Sequence, residues 1–284
     1  MNIRKIGVIG AGTMGHGIAQ ACAVGGLDVA MIDIHEAAVL HGLAAIATSL
    51  DRLVKKDRLA AADKEGALGR IHGTSDYDAL RDCDLIVEAA TENERVKNDI
   101  LKEADARARP GSILASNTSS ISITKLAAAT SRPDRFVGIH FFNPVPMMAL
   151  VEVVVGKETS DATVAAARAY AQAVGKTPIT VTDSPGFVVN RILFPMINEA
   201  ANAYHENVAT AEDIDTGMKL GANWPMGPLA LADLVGLDTT SAILETLERE
   251  LGDAKYKPSP ALTRLRDAGK LGRKTGSGFY DYGK

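Results

Sequence analysis

The chain has 284 residues, of which 46% are hydrophobic, and this length and composition predict roughly two domains, each with its own core. The net charge is −4 and the sequence pI is near 5.9. This balance leaves no basic surplus for a nucleic-acid backbone, so we expect no nucleic-acid partner.

Residues 6–27 form a long uncharged stretch, but it contains seven glycines together with His16 and Gln20, which favours strand, turn and helix over a membrane span. The N-terminus runs directly into a predicted strand, without the apolar region and cleavage site of a secretory signal. We therefore expect a cytoplasmic protein. Cys22 and Cys83 fall outside metal-ligand spacings and are predicted to be buried thiols, with no disulfide and no metal site.

Residues 5–10 predict a strand that leads into a glycine-rich turn and a helix over residues 17–24. A second predicted strand, residues 28–32, ends at Asp33, where an acid takes the ribose hydroxyls of a dinucleotide and repels a 2′-phosphate. The pattern therefore predicts NAD binding, with the pyrophosphate at the helix N-terminus. The turn residues assigned to it are Gly10, Ala11, Gly12, Thr13, Met14 and Gly15.

The helical patterns of residues 35–56 and 59–68 exceed an ordinary crossover helix, so we predict an inserted helical hairpin. Ser49 precedes Lys55, Lys56 and Arg58 near the end of the first pattern, and this combination offers a contact for a phosphorylated ligand. The alternative is a solvated basic helix end that complements the helix dipole.

Residues 71–74 and 84–90 predict further strands, and the second is apolar enough for a parallel sheet covered on both faces. Glu92 and Lys97 follow it, the latter within a helix predicted over residues 95–108. Since ligands bind beyond the carboxyl ends of parallel strands, both residues are candidates for cofactor contacts. As isolated charges they are also compatible with a solvated surface.

A strand over residues 112–115 ends in the polar run Ser-Asn-Thr-Ser-Ser at 116–120, before a helix over residues 123–129. One of these hydroxyls is expected to cap that helix. Five consecutive polar side chains exceed what one cap requires, so we expect Ser119 to face the crevice.

Residues 136–141 and 150–155 predict two strands joined by an Asn-Pro-Val-Pro turn that begins at Asn143. His140 lies at the end of the first strand and Glu152 lies within the second. A hydrogen bond between them would fix the imidazole tautomer and provide a general acid/base. The alternative is a buried histidine bonded to a backbone carbonyl, with the glutamate paired elsewhere.

A helix over residues 159–174 precedes an edge strand over residues 176–182, where Pro178 argues against a central position. We place the domain boundary after residue 183, with Ser184 as N-cap and Pro185 as first residue of a helix that extends to residue 205. Asn190 lies in that apolar helix and needs a polar partner or a ligand. Further helices are predicted over residues 211–220, 229–235, 239–251 (capped by Asp238) and 260–268.

These elements give an α/β Rossmann-type domain over residues 1–183, with a mainly parallel sheet and the inserted hairpin, followed by an all-α domain over residues 184–284. The apolar content of the short C-terminal helices exceeds the needs of one small bundle. This excess favours a homodimer through the second domain.

Several motifs occur together in this order: G-A-G-T-M-G from Gly10, S-N-T-S-S at 116–120, H-F-F-N-P-V-P from His140, D-S-P-G-F-V-V-N-R from Asp183 and K-T-G-S-G-F-Y from Lys274. With them, the chain resembles the L-3-hydroxyacyl-CoA dehydrogenases from end to end. The resemblance implies NAD-dependent interconversion of 3-hydroxyacyl-CoA and 3-oxoacyl-CoA.

The same resemblance implies a role for each matching residue. His140 corresponds to the catalytic base and Glu152 to its partner, while Ser119 and Asn190 hold the oxygen on C3 of the substrate. Cofactor contacts fall on the glycine turn, Asp33, Glu92, Lys97, Ser119, Asn143 and Lys274. Contacts to the coenzyme A part of the substrate fall on Ser49 and Lys56, and Ser119 and Asn190 complete the substrate-binding residues. Two alternatives remain: a related dehydrogenase of a free hydroxy acid or sugar acid, and a nonenzymatic NADH-binding protein of the same fold.

Overall fold

The computed structural model describes residues 3–283, which divide after Ser184 into two compact units. The first unit is α/β and the second is helical, as the sequence predicts. The division falls one residue beyond the boundary placed by sequence composition.

The first unit is built on an eight-stranded sheet with strands β1 (Lys5–Ile9), β2 (Asp28–Ile32), β3 (Ile71–Thr74), β4 (Leu85–Glu88), β5 (Ile113–Ser116), β6 (Phe136–Phe141), β7 (Leu150–Val155) and β8 (Thr177–Thr182). The strand order is β3-β2-β1-β4-β5-β6-β7-β8, and every neighbouring pair is parallel except β6 and β7. The first six strands have the Rossmann order, which confirms the predicted fold class. Strand β8, with its Pro178, lies at the sheet edge as predicted.

Helices cover both faces of this sheet. They are α1 (Thr13–Val24), α2 (Glu36–Lys55), α3 (Ala61–Gly69), α4 (Glu94–Arg107), α5 (Ile123–Ala127) and α6 (Asp161–Ala173). Alternate strand residues such as Val8, Val87 and Val137 pack in one core cluster with α1, α2 and α6. Gly138 faces the opposite side, where a Cβ atom would lie 2.8 Å from the Ile123 side chain of α5. Helices α2 and α3 form the predicted hairpin between β2 and β3.

Helix α2 is the one helix within residues 3–283 that is long and apolar enough to cross a membrane by length and composition alone. Its residues Val39, Ile46 and Leu50 are fully or almost fully buried in the core of the first unit. This face of the helix therefore packs against the other elements of the first unit.

The second unit consists of α7 (Val189–His205), α8 (Ala211–Gly221), α9 (Pro228–Val235), α10 (Leu237–Leu251) and α11 (Pro260–Asp267). Phe194, Leu229 and Leu244 lie in its core. The C-terminal segment is fixed by the buried carboxylate of Asp233, which accepts hydrogen bonds from the amides of Phe279 and Tyr280 at 3.0 Å each. Burial raises the pKa of Asp233 above its ordinary value.

Several helix starts differ from the prediction by one or two residues, and three differ by more or in how the helix begins. Helix α1 begins at Thr13 rather than at residue 17. Helix α7 begins at Val189, because Gly186 (φ +73°) and Phe187 (φ +51°) are left-handed and interrupt the helix expected from Ser184 and Pro185. Helix α10 begins at Leu237, so Asp238 lies in its first turn and is not its cap.

The cap of α5 also differs from the prediction, because it comes from outside the 116–120 run. Ser122 is the N-cap residue, and its hydroxyl accepts a hydrogen bond from the Lys125 amide at 3.3 Å. Asp183, which follows β8, accepts from the Ser122 hydroxyl (2.7 Å) and from the amides of Ile123 (3.1 Å) and Thr124 (2.8 Å). One carboxylate thus satisfies two of the first free amides of α5.

We predict that Asp183→Ala lowers the free energy of unfolding by about 1 to 3 kcal/mol, because it removes three hydrogen bonds, two of which satisfy the first amides of α5. Urea denaturation followed by circular dichroism measures the change. Asp161→Ala is the matched control, since Asp161 is an exposed acid in the first turn of α6. Equal losses in the two variants would show that the cap is not what stabilises α5.

Candidate active site

His140 and Glu152 are directly opposite each other in the antiparallel pair of β6 and β7. The imidazole Nδ1 and the carboxylate Oε2 lie 2.7 Å apart, so the predicted hydrogen bond is present. Glu152 has no solvent exposure and His140 has 6%. With the carboxylate as acceptor, Nδ1 donates this hydrogen bond, and proton exchange with a ligand falls to Nε2.

The strand end that carries His140 is tied to the polar run after β5. Asn117 accepts a hydrogen bond from the Phe141 amide through its side-chain oxygen at 2.9 Å, and this amide group is buried. The ring of Phe142 lies 4.6 Å from the imidazole, centroid to centroid. Sequence reasoning grouped Asn117 with the other polar residues of the run but did not assign it this function.

Ser119 lies in a loop organised by the carboxylate of Glu92. Glu92 Oε1 accepts hydrogen bonds from the Thr118 hydroxyl (2.6 Å), the Ser119 amide (3.0 Å) and the Ser120 hydroxyl (2.9 Å). Burial alone raises the pKa of Glu92, but the charge of Lys97 and the bonds from Thr118 and Ser120 outweigh it, and the pKa lies below its ordinary value. The loop therefore contains a fixed negative charge at neutral pH.

Lys97 is buried, with 1% exposure, and not on the surface. Its ammonium group donates to both oxygens of Glu88 at 2.9 Å and lies 3.5 Å from Glu92 Oε2. Glu88 has no solvent exposure and also accepts from the Ser116 hydroxyl at 2.6 Å. The structure thus places Lys97 and Glu92 in one network at the carboxyl end of β4. Sequence reasoning missed Glu88, although an acid inside an apolar strand is itself a signal.

The glycine turn after β1 has the shape of a phosphate cradle. A Cβ atom on Gly15 would lie 1.7 Å from the Gly10 carbonyl oxygen, and one on Gly10 would lie 2.7 Å from the Ala89 carbonyl oxygen. On Gly12 it would meet no heavy atom of the described residues within 4 Å. Gly10 and Gly15 are therefore required by packing, whereas Gly12, the N-cap residue of α1, leaves room for a ligand.

Asp33 belongs to the same cradle. Its carboxylate accepts hydrogen bonds from the amides of Ala11 (2.9 Å) and His35 (3.2 Å). These bonds hold the carboxylate at the end of β2, next to the glycine turn. The position fits recognition of ribose hydroxyls, and the residues of the turn fit a dinucleotide.

A cleft of about 650 Å³, here called the α1–α2 cleft, is lined by residues of α1, α2 and the segment 143–147. Ser49, Lys56 and Asn143 all line it, so the structure brings these three predicted site residues together. Arg52 and Arg58 line it as well, while the described lining residues include no Asp or Glu. Such a lining favours an anionic ligand.

The cleft separates the two neighbouring lysines, because Lys56 lines it and Lys55 does not. Its other walls include Ala44, Ala45, Leu53, Val145 and Pro146, and they are largely apolar. Two buried polar atoms on the α1 side, His16 Nδ1 and Gln20 Oε1, have no hydrogen-bond partner among the described residues. Sequence reasoning missed Arg52; its spacing from Ser49 and Lys56 on one helix face would have indicated it.

Two predicted site residues lie in the second unit. Asn190 is in the first turn of α7 and is 9% exposed. Lys274 donates from its ammonium group to both oxygens of Asp238, at 2.6 and 2.7 Å. Their contacts with cofactor and substrate remain predictions.

The two cysteines of the chain are buried thiols. Cys22 and Cys83 are free and buried, as predicted, and burial raises the pKa of both thiols to about 12. Within residues 3–283, no three His, Cys, Asp or Glu side chains are grouped to hold a metal ion.

Two family models match the chain and together cover nearly all of it. Residues 5–184 match the NAD-binding domain of 3-hydroxyacyl-CoA dehydrogenase, and residues 186–282 match the C-terminal domain of the same family.

Individual relatives agree with the family models. A probable 3-hydroxybutyryl-CoA dehydrogenase of Deinococcus radiodurans is 53% identical, over 98% of this chain and all of that protein. A 3-hydroxybutyryl-CoA dehydrogenase of Bradyrhizobium diazoefficiens is 51% identical, over 99% of this chain and 96% of that protein. The crystal structure of (S)-3-hydroxybutyryl-CoA dehydrogenase from Ralstonia eutropha is 59% identical, with a TM-score of 0.97 and full coverage of both chains.

Proposed function

Because this chain belongs to the 3-hydroxyacyl-CoA dehydrogenase family, we propose that it interconverts (S)-3-hydroxyacyl-CoA and 3-oxoacyl-CoA with NAD. The observation that carries this proposal is the 2.7 Å hydrogen bond between His140 and the buried carboxylate of Glu152. It supplies an oriented general acid/base at the carboxyl ends of the parallel strands, where the glycine turn also lies, and the segment that follows His140 lines the α1–α2 cleft.

In the oxidative direction, His140 accepts the proton of the C3 hydroxyl through Nε2. The resulting imidazolium remains bonded to Glu152 through Nδ1, and the buried negative charge stabilises it. In the reductive direction His140 returns the proton to the same oxygen. Ser119 and Asn190 are proposed to hydrogen-bond to that oxygen and to stabilise its developing charge.

When bound, NAD supplies the hydride acceptor. The chain's contribution is to bind it: the open position at Gly12 and the amides at the start of α1 suit the pyrophosphate, and Asp33 suits the ribose hydroxyls. We assign Glu92, Lys97, Ser119, Asn143 and Lys274 to the remaining cofactor contacts. For Lys97 we propose an indirect contact, since its ammonium group is occupied by Glu88 and Glu92.

The coenzyme A part of the substrate is assigned to the α1–α2 cleft. Ser49, Arg52, Lys56 and Arg58 provide a hydroxyl and three cations for its phosphates, and the apolar walls suit its pantetheine arm. This arrangement distinguishes a coenzyme A thioester from a free hydroxy acid, which would leave the cations without a use.

The four-carbon pair, 3-hydroxybutyryl-CoA and acetoacetyl-CoA, is the preferred substrate, which the names of the relatives support. The protein is a cytoplasmic homodimer without membrane or nucleic-acid partners. Ile192 and Met196, one turn apart on α7, are 57% and 40% exposed, and a second copy of the chain would cover them.

The proposed function predicts that NADH absorbance at 340 nm falls when acetoacetyl-CoA is added to the purified protein. Free acetoacetate should give a rate lower by about 10²-fold or more, because it lacks the groups that the cleft binds. NADPH should be a poor donor, because Asp33 repels its 2′-phosphate. Equal rates with acetoacetate and its thioester would favour a dehydrogenase of free acids.

For the catalytic pair, His140→Ala should lower kcat by about 10²- to 10⁴-fold, because the general acid/base is lost. Glu152→Gln should also lower kcat, since a neutral partner stabilises the imidazolium less and does not fix its tautomer. NADH fluorescence titration is the control, and its Kd should stay within about twofold in both variants, because neither residue is assigned to the dinucleotide. Retention of full kcat in His140→Ala would exclude this histidine as the base.

For the cleft, Lys56→Ala should raise KM for acetoacetyl-CoA by about tenfold, the equivalent of about 1.4 kcal/mol for a lost charged contact. Lys55→Ala is the matched control and should leave KM unchanged, because Lys55 does not line the cleft. The corresponding pantetheine thioester, which lacks the nucleotide phosphates, should be insensitive to both substitutions. Similar effects of the two substitutions would place the phosphates elsewhere.

A further inference from the structure

The turn of residues 143–148, here called the proline turn, connects the two strands of the catalytic pair. It follows β6, which ends one residue after His140, and it precedes β7, whose third residue is Glu152. Its residues 143–147 also form one wall of the α1–α2 cleft. The position of this turn therefore sets one wall of the proposed coenzyme A cleft and the location of Asn143.

The turn is fixed to α1 by close packing. Val145 is 2% exposed and belongs to the core cluster of the first unit. It lies against Gly17, where a Cβ atom would be 3.0 Å from Val145 Cβ. Within the turn, the Pro144 carbonyl accepts hydrogen bonds from the amides of Met147 (2.9 Å) and Met148 (3.1 Å). These contacts hold the middle of the turn, while Met147 and Met148 remain 56% and 41% exposed.

Lys176 holds the turn from the other side. Its ammonium group donates to the carbonyl oxygens of Val145 (2.6 Å) and Met148 (2.9 Å). Among residues 3–283, no carboxylate forms an ion pair with Lys176. Partial burial lowers its pKa from the ordinary lysine value. A cation thus binds two neutral carbonyls that lie on the same turn, and such charge-assisted bonds are stronger than neutral ones.

We propose that Lys176 is a positioning residue that sets the substrate wall of the α1–α2 cleft through the proline turn. The proposal rests on the proposed function, because it assigns the pantetheine arm of the substrate to this cleft. Lys176 does not touch the reacting atoms. Without it the turn has more conformations, and substrate binding has to order them, which weakens binding. The catalytic pair is held by the register of β6 and β7, so chemistry should change less than binding.

The test replaces Lys176 by Met, which keeps most of the apolar stem and removes the ammonium group. We expect KM for acetoacetyl-CoA to rise by about tenfold, with kcat changed by about twofold or less. Lys176→Arg, which keeps a charged donor, should restore at least part of the affinity. If Lys176→Met does not fold, Lys176→Gln provides the measurement, since the glutamine amide still donates to one carbonyl. Its KM should lie between that of the unmodified protein and the tenfold higher value.

Arg168→Met is the matched control. Arg168 lies in α6 and its guanidinium donates to β8, to the Thr180 hydroxyl (2.8 Å) and the Pro178 carbonyl (3.3 Å). It has no bond to the proline turn, so KM should stay near that of the unmodified protein. Thermal unfolding of both variants separates a general loss of stability from a local effect on the turn.

Binding is also measured without turnover, by calorimetric titration of coenzyme A and by NADH fluorescence. Coenzyme A affinity should fall in Lys176→Met and be retained in Arg168→Met. If Lys176→Met leaves the KM for acetoacetyl-CoA and the Kd for coenzyme A unchanged, the proposed role of Lys176 is wrong. Equal changes of these constants in Lys176→Met and Arg168→Met would also overturn it. Failure of the unmodified protein to reduce acetoacetyl-CoA would instead reject the proposed function, and the two failures are distinct.

Discussion

The hydrogen bond between His140 and Glu152 depends on a single change of strand direction. The parallel strands β1 to β6 all end on the same side of the sheet, and His140 lies near the end of β6. Strand β7 runs antiparallel to β6 and places the carboxylate of Glu152 opposite His140. Because the two residues are register partners, their separation is fixed by the backbone of the sheet. The buried carboxylate in turn requires a positive or donating partner, which the imidazole provides. The same geometry thus satisfies a folding requirement and prepares an acid/base.

A second network of buried charges lies two strands away, at the end of β4, and there too each buried charge has a partner. Glu88 and Lys97 are both almost fully buried, and each is satisfied by the other together with Ser116 and Glu92. Glu92 then collects the hydroxyls and amides of residues 118–120, which sets the position of Ser119. The pairing of Lys97 therefore extends from the strand interior to a loop assigned to substrate and cofactor. A buried ion pair is weak evidence for stability, but here it also orders a loop.

The sequence predicts the elements whose residues follow a local period. The strand bounds of β2, β3, β6 and β7 agree with the apolar runs to the residue, and the remaining strands agree to within two residues. Local patterns do not predict a helix start or cap that depends on residues outside the pattern. Ser184 and Pro185 resemble a helix start, yet left-handed Gly186 and Phe187 delay α7 to Val189. Asp183 caps α5 from about sixty residues away, and no local motif encodes such a pair.

The candidate site shows the same division. The positions of His140, Glu152, the glycine turn and Ser49 with Lys56 were predictable, because they lie in or next to strands and helices whose positions follow from the pattern, whereas their roles stay predictions. Lys176 was not predictable, since it lies just before an edge strand, and its partners are carbonyls, which every residue has. Backbone acceptors leave no trace in the amino-acid sequence. Residues that position a turn through its carbonyls are therefore found from coordinates, even where the residues assigned to the chemistry are predicted from motifs.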